Sequence, residues 1–301
     1  MTGSGNNDLD LTLVLIEVAG GAAIASCLDS LMAFGKPCIA ILREDQPELR
    51  SAYPCVHFEA LAAPVPQRRK LGVELAQTKY LALIEDTGRP GAALIRGIER
   101  AFELSGCAAA SGPVAISAAL NPRHQALACT EYGRYHASQL FPLPGQGPLV
   151  AARLPGNFLV YLREPLLKAL ADFEQGLVEG ALNARLGSQG FALVMCPDMT
   201  LEYVGGDDWG ARLTTRFQHG RLYAGAVAEH KGLVGRLLQG MKSVLLPAVL
   251  SLRAIKNMRS IPTIRKPLQV AAWICLFELY WSAGELQGSL LGKPRDMEAW
   301  R

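Results

Sequence analysis

No C-x-x-C pair occurs in this chain of 301 residues. Its seven cysteines, Cys27, Cys38, Cys55, Cys107, Cys129, Cys196 and Cys275, stand singly, several inside apolar runs. The paired spacing that holds zinc is therefore absent, and buried reduced thiols are the expectation. Residues 1–10 lack the basic and apolar blocks of a signal peptide and are expected to form a flexible polar tail. No internal repeat is present. In the last third of the chain no charge-free run approaches the roughly twenty residues that a membrane-crossing helix needs. The longest there, 243–252 and 267–277, hold ten and eleven residues. Acidic residues are also missing between Glu229 and Glu278, where eight basic ones stand.

That last absence exposes a charge asymmetry. Residues 1–230 carry 19 basic and 23 acidic side chains, a balance of −4, whereas residues 231–301 carry 11 and 4, a balance of +7. A segment both basic and apolar suits an anionic membrane surface and argues against a nucleic-acid partner. Residues 232–261 and 268–291 are long apolar segments, and Pro247 and Pro267 are expected to break them. They read as in-plane or re-entrant membrane helices, or else as a helical hairpin on the preceding domain.

Half of the residues are apolar, enough for a large core. The run LTLVLIEV at 11–18 has the continuous apolar character of a strand buried on both faces. A Gly-Gly turn, a helix over 22–33 and a strand at 38–42 follow, which is a βαβ opening. A helix is expected over 68–78, then a buried strand YLALI at 80–84 ending in Glu85-Asp86-Thr87. Acidic residues directly after a buried strand stand where open α/β sheets bind ligands. Further expectations are a helix over 91–105, strands at 114–117, 158–161 and 191–196, and helices over 121–141, 163–171, 173–190 and 214–228.

Three segments together resemble the family 2 glycosyltransferases: LVLIEVAGGAAIASCLDSLMAFGKP, QRRKLGVELAQTKYLALIEDTGRPG, and LPGNFLVYLREPLLKAL with FEQGLVEGALNARLGSQGFAL. The first resembles that family's opening strand and C-L-x-S-L-type helix, the second its R-N-x-G helix and acidic strand end, and the third its acceptor-side segment. The resemblance implies a GT-A-like three-layer α/β sandwich over residues 11–228, with a mostly parallel sheet. Residues 229–301 would form a basic, apolar, helical membrane-associating region. It also implies a nucleotide-sugar donor, a lipid-linked or membrane-proximal acceptor, inverting transfer, a divalent Mg²⁺ or Mn²⁺, and a place at the cytoplasmic face of a membrane. A second copy or a partner enzyme is a further possible partner.

The resemblance also assigns roles. Glu85-Asp86-Thr87 falls at the family's D-x-D position, with Thr87 in place of the final acid. It makes Asp86 the metal ligand, the alternative being a turn acid that caps the next helix. Glu17 either contacts the donor's uracil or ribose or pairs with Arg69 or Lys70. Arg68, Arg69 and Lys70 either meet the diphosphate or form a solvated helix start; Lys70 replaces the family's Asn. Glu179 is either the base that deprotonates the acceptor hydroxyl or an exposed helical glutamate, with Asp172 and Glu174 as substitutes. His219 and Arg221, within 216–221, resemble the family's downstream diphosphate contacts or else face lipid headgroups. Glu131 to Arg134 either approach the acceptor or simply pack. The changes at positions 70, 87 and 180 also fit a GT-A-like scaffold that binds without transferring.

Overall fold

A computed structural model describes residues 9–174, 176–206, 209–229 and 231–292. Most of the expected tail, residues 1–8, lies outside them. The chain forms two compact units.

The first unit comprises residues 1–115 and 141–203. Its elements run β1 (Leu11–Ile16), α1 (Ala22–Met32), β2 (Cys38–Leu42), α2 (Pro47–Ala52), β3 (Val56–Ala60), α3 (Val65–Leu75), β4 (Tyr80–Glu85), β5 (Gly88–Pro90), α4 (Leu94–Phe102), β6 (Cys107–Ser111) and β7 (Val114–Ile116). The chain leaves this unit for α5 (Pro122–Tyr132) and α6 (Ala137–Leu140). It returns through β8 (Leu149–Val150), β9 (Phe158–Leu162), α7 (Arg163–Leu170), α8 (Glu179–Ser188), β10 (Ala192–Met195) and β11 (Leu201–Tyr203).

The eight-stranded sheet has the order β3-β2-β1-β4-β9-β6-β10-β8. Strands β3, β2, β1 and β4 run parallel, as do β6 and β10, while β9 runs backward between β4 and β6. A small sheet, β5-β11-β7, is separate. The alternation of β1 explains the layers. Leu11, Leu13 and Leu15 join Ile24, Leu28 and Leu31 of α1 and Leu94 and Ile98 of α4 in one core. Val14 and Ile16 point the other way, toward Gly72 of α3, whose missing side chain lets that helix approach. All six β1 residues are buried, each worth about 1.5–3 kcal/mol if it is a large aliphatic. This is a three-layer α/β sandwich, as expected from the sequence, with helices on both faces of a mixed sheet.

Some boundaries moved for local reasons. Helix α3 begins at Val65, because Pro66 pre-sets the first turn without needing a donor. The expected helix over 173–190 is only α8: Gly176 takes φ +108 against the backbone of Pro66, which stops helix formation before Glu179.

The second unit comprises residues 116–140 and 204–301, whereas the resemblance implied a boundary between 228 and 229. It holds α5, α6, α9 (Trp209–Ala228), α10 (Leu233–Met258) and α11 (Pro267–Leu291). Helix α11 packs on α9, α10 and α5. Added Cβ atoms on Gly220, Gly284 and Gly288 would strike the carbonyls of Trp281, Phe217 and Arg221, so α9 and α11 touch backbone to backbone. Arg216 bridges Glu131 at 3.6 Å and Glu278 at 3.3 Å, and its guanidinium lies 4.6 Å over Trp281. Pro247 does not break α10 as expected; the helix continues through it, and Pro267 starts α11. Among the described residues one helix, Leu233–Met258, is long and apolar enough to cross a membrane, and only 11% of its apolar window is buried.

These contacts give the glycines opposite values. Gly284→Ala is expected to destabilise the protein by about 3 kcal/mol, because two backbones must separate. Gly187→Ala, on α8 with nothing within 4 Å, is expected to stabilise by about 0.5–1 kcal/mol. Urea denaturation of both variants checks the contrast, and it fails if the two shifts share a sign.

Candidate functional site

The parallel strands β1, β2 and β4 end together, and their ladder continues one residue further. The Asp86 N–H donates to the Ile16 carbonyl (3.2 Å), and the Glu17 N–H donates to the Ile41 carbonyl (3.1 Å). This carboxyl edge is where such sheets bind ligands. It carries Glu17, Arg43, Glu85, Asp86 and Thr87. Because β9 runs backward, its entry residues Gly156 and Asn157 arrive at the same edge, and the Glu85 N–H donates to the Asn157 carbonyl (3.0 Å).

Asp86 is fully buried, and its carboxylate is engaged by backbone. Oδ1 accepts the N–H groups of Val18 (3.0 Å) and Ala19 (2.9 Å), and Oδ2 those of Ala19 (3.0 Å) and Gly20 (2.7 Å). Gly20 and Gly21 take φ +75 and +55, which turns successive amides toward one point. Such a concave row of amides is an anion nest, and here the chain's own carboxylate fills it. Burial pushes the Asp86 carboxyl above its ordinary value, against the downward pull of these amides. The residue therefore organises the loop before α1, rather than capping the helix that follows it.

Arg69 is the second centre. Its guanidinium, 4% exposed, pairs with Glu85 at 2.6 Å and with Glu179, and it donates to the Gly156 carbonyl at 3.3 Å. Glu179 is the first residue of α8, where a negative charge suits the helix dipole. It is thus no mid-helix surface glutamate. Its side chain is 24% exposed, against 14% for Glu85. Burial raises the Glu85 carboxyl to about 7; Arg69 opposes the rise, and Glu179 and Asp86 add to it.

Glu17 differs from the pairing open in the sequence. It bonds neither Arg69 nor Lys70; Oε2 accepts the Arg43 N–H at 2.5 Å, tying the end of β1 to the loop after β2. Lys70 is half-buried and takes no part in the Arg69 ion pairs. Arg68 is 0% exposed, and none of its three guanidinium nitrogens has a hydrogen-bond partner. Burial holds its pKa below the arginine value although Glu17 and Asp86 are near. Thr87 Oγ1 and both amide atoms of Asn157 are likewise buried without partners. Asn157 was not a sequence candidate; the signal was its position at the start of an apolar strand. Of the substitutes for Glu179, Asp172 pairs with Arg185 at 2.7 Å and Glu174 is exposed. His219 and Arg221 lie half-buried on α9 in the second unit, and Glu131 is spent on Arg216.

The donor set at this edge does not fit a divalent cation. Such an ion takes several oxygens, usually including free carboxylates. Both oxygens of Asp86 are filled by amides, Glu85 and Glu179 face a guanidinium, Glu17 gives Oε2 to the Arg43 amide, and the unpartnered oxygens of Thr87 and Asn157 bring no charge. Among the described residues no group of three or more His, Cys, Asp or Glu side chains could hold a metal.

No family model matches the chain, and no curated protein matches it. Among solved structures, GalNAc-T7 with UDP, GalNAc and Mn²⁺ is similar at 10% identity and a TM-score of 0.47. The match covers 65% of this chain and 44% of that one.

Two outcomes follow from the site's electrostatics. Asp86→Asn offers one acceptor where two are used and turns an N–H donor toward a backbone amide. It is expected to cost about 3 kcal/mol in urea denaturation. Glu85 holds its proton more tightly folded (about 7) than unfolded (4.5), so its stabilising share is full below about pH 4.5 and is lost as pH rises through 7. Wild-type stability should therefore fall by about 2 kcal/mol more than that of Glu85→Gln between pH 4.5 and 7.5. Parallel profiles would contradict this.

Proposed function

We propose that the chain binds a nucleotide-sugar donor at the carboxyl edge of the first unit and transfers its sugar, with inversion, to a lipid-linked or membrane-proximal acceptor. The observation that carries this reading is the gathering of Glu17, Arg68, Arg69, Glu85, Asn157 and Glu179 where β1 and β4 end. Arg68, Arg69 and Lys70 supply cations for a diphosphate. Asn157 and Glu17 supply polar groups for the base and ribose. Glu179 is the most exposed of the Glu85, Asp86 and Glu179 carboxylates and the one that an acceptor hydroxyl would reach, so it takes the proton.

The reading extends to a membrane. Helix α10, about 39 Å long, exposes Leu237, Leu238, Met241, Val244, Leu245 and Leu252 in one run. The surrounding segment holds only basic charges, among them Arg236, Lys242, Arg253 and Lys256. An apolar helix with cationic flanks suits the cytoplasmic face of an anionic bilayer, at roughly 1 kcal/mol per basic residue near the surface.

A second reading is a scaffold that binds without transfer, favoured by the filled oxygens of Asp86 and the neutral Thr87. Incubation with UDP- and GDP-sugars and a lipid extract separates the two. Transfer predicts nucleotide release that falls at least a hundredfold in Glu179→Gln; release equal in both proteins, or none at all, rejects it. Flotation with phosphatidylglycerol vesicles tests the membrane arm. Binding is expected to fall about tenfold or more in Leu238→Glu/Leu245→Glu, and equal binding would reject the α10 surface.

A further inference from the structure

The edge has no pair of free carboxylates for a metal, yet it contains a buried cation bound by two carboxylates. Arg69 reaches Glu85 at the end of β4, Glu179 at the start of α8 and the Gly156 carbonyl before β9. Three chain segments thus converge on one positive group through oxygen atoms, which is also how a divalent ion is held. We propose that the Arg69 guanidinium is the resident cation of this site. It occupies the place between carboxylates that a divalent ion would take, with one charge in place of two, so that nucleotide diphosphate binding needs no added metal. The inference deepens the donor-site reading and rests on it for the identity of the ligand.

Three observations support the substitution of guanidinium for ion. The acid best placed to ligate a metal, Asp86, is saturated by Val18, Ala19 and Gly20 amides. The position that would complete an acidic pair is Thr87, whose hydroxyl carries no charge. Glu85 and Glu179 would stand as uncompensated buried or half-buried anions without Arg69, because no other ion pair reaches either of them among the described residues. A permanent guanidinium does not dissociate, needs no metal supply and keeps its charge across physiological pH. Arg68, buried beside it with no hydrogen-bond partner, leaves a second guanidinium to face an incoming anion.

The test uses the full chain, Mn²⁺ alone and UDP. Electron paramagnetic resonance of Mn²⁺ titrated into the wild-type protein is expected to show no site filled at tens of micromolar. Calorimetry with UDP is expected to give Kd values equal within about twofold in EDTA and in Mn²⁺. One Mn²⁺ bound per chain, or a UDP affinity raised tenfold or more by Mn²⁺, would overturn the proposal. If UDP and GDP bind under neither condition, the donor reading fails, while the resonance experiment still decides whether the edge takes a metal. Arg69→Ala exposes the Glu85–Glu179 pair. If it folds by circular dichroism, it should gain Mn²⁺ binding and a Tm that Mn²⁺ raises, and a folded variant indifferent to Mn²⁺ would refute the equivalence. If it does not fold, the wild-type measurements decide alone.

Discussion

The carboxylate of Asp86 sits in a cradle of three consecutive amides, and the local order of the sheet's carboxyl edge follows from that. A buried carboxylate is costly unless several donors meet it, and here the donors come from the loop that joins β1 to α1. The loop in turn needs left-handed glycines at positions 20 and 21 to aim those donors. Asp86 therefore fixes where α1 begins, and Glu17 fixes the neighbouring β2 end through the Arg43 amide. The same bonds that shape the edge consume the groups that a simpler reading would hand to a metal.

Arg69 does for the other side of the edge what Asp86 does for the loop. Burying a guanidinium is tolerable only with close counter-charges, and Glu85 and Glu179 provide them from elements that the chain visits far apart. Its neighbour Arg68 has Glu17 and Asp86 near it but no hydrogen-bond partner, and the Thr87 hydroxyl and the Asn157 amide have none either. Buried polar groups without partners are rare in folded proteins. Their concentration at one sheet edge separates this place from the rest of the first unit, where the core is aliphatic.

Much of the scaffold was legible because its strands carry uninterrupted apolar runs. LTLVLI, CIAIL and YLALI become β1, β2 and β4 with ends within two residues of expectation. Strand β6 was not legible, since CAAAS lacks the branched and aromatic residues that mark strands, and it is held by its neighbours instead. Strand β3 was not among the expected elements; VHFEA lies at the sheet edge with its burial alternating. The candidate residues themselves were visible as types, and their partners were not. Nothing near position 69 signals a carboxylate 110 residues later, and nothing near Asp86 signals that its oxygens face amides 66 to 68 residues earlier. In the second unit the apolar segments are helices as expected, but the glycine contact of α9 with α11 depends on which faces meet, which periodicity alone does not choose.

The backward course of β9 has a consequence for how the molecule comes into being. A parallel strand brings only its finishing end to this edge, whereas β9 brings its beginning, and with it Gly156 and Asn157. The edge therefore stays open until the chain has passed through α5 and α6 and returned. Arg69 stays short of one counter-charge until Glu179 has also been made. During synthesis β1 to β4 can form a parallel half-sheet early, with a guanidinium and a carboxylate at its rim awaiting partners from far downstream. Contacts of such long sequence separation form slowly. The carboxyl edge thus closes late, after the parallel half-sheet on which it stands, and only the strands β10 and β11 of the first unit remain to be added.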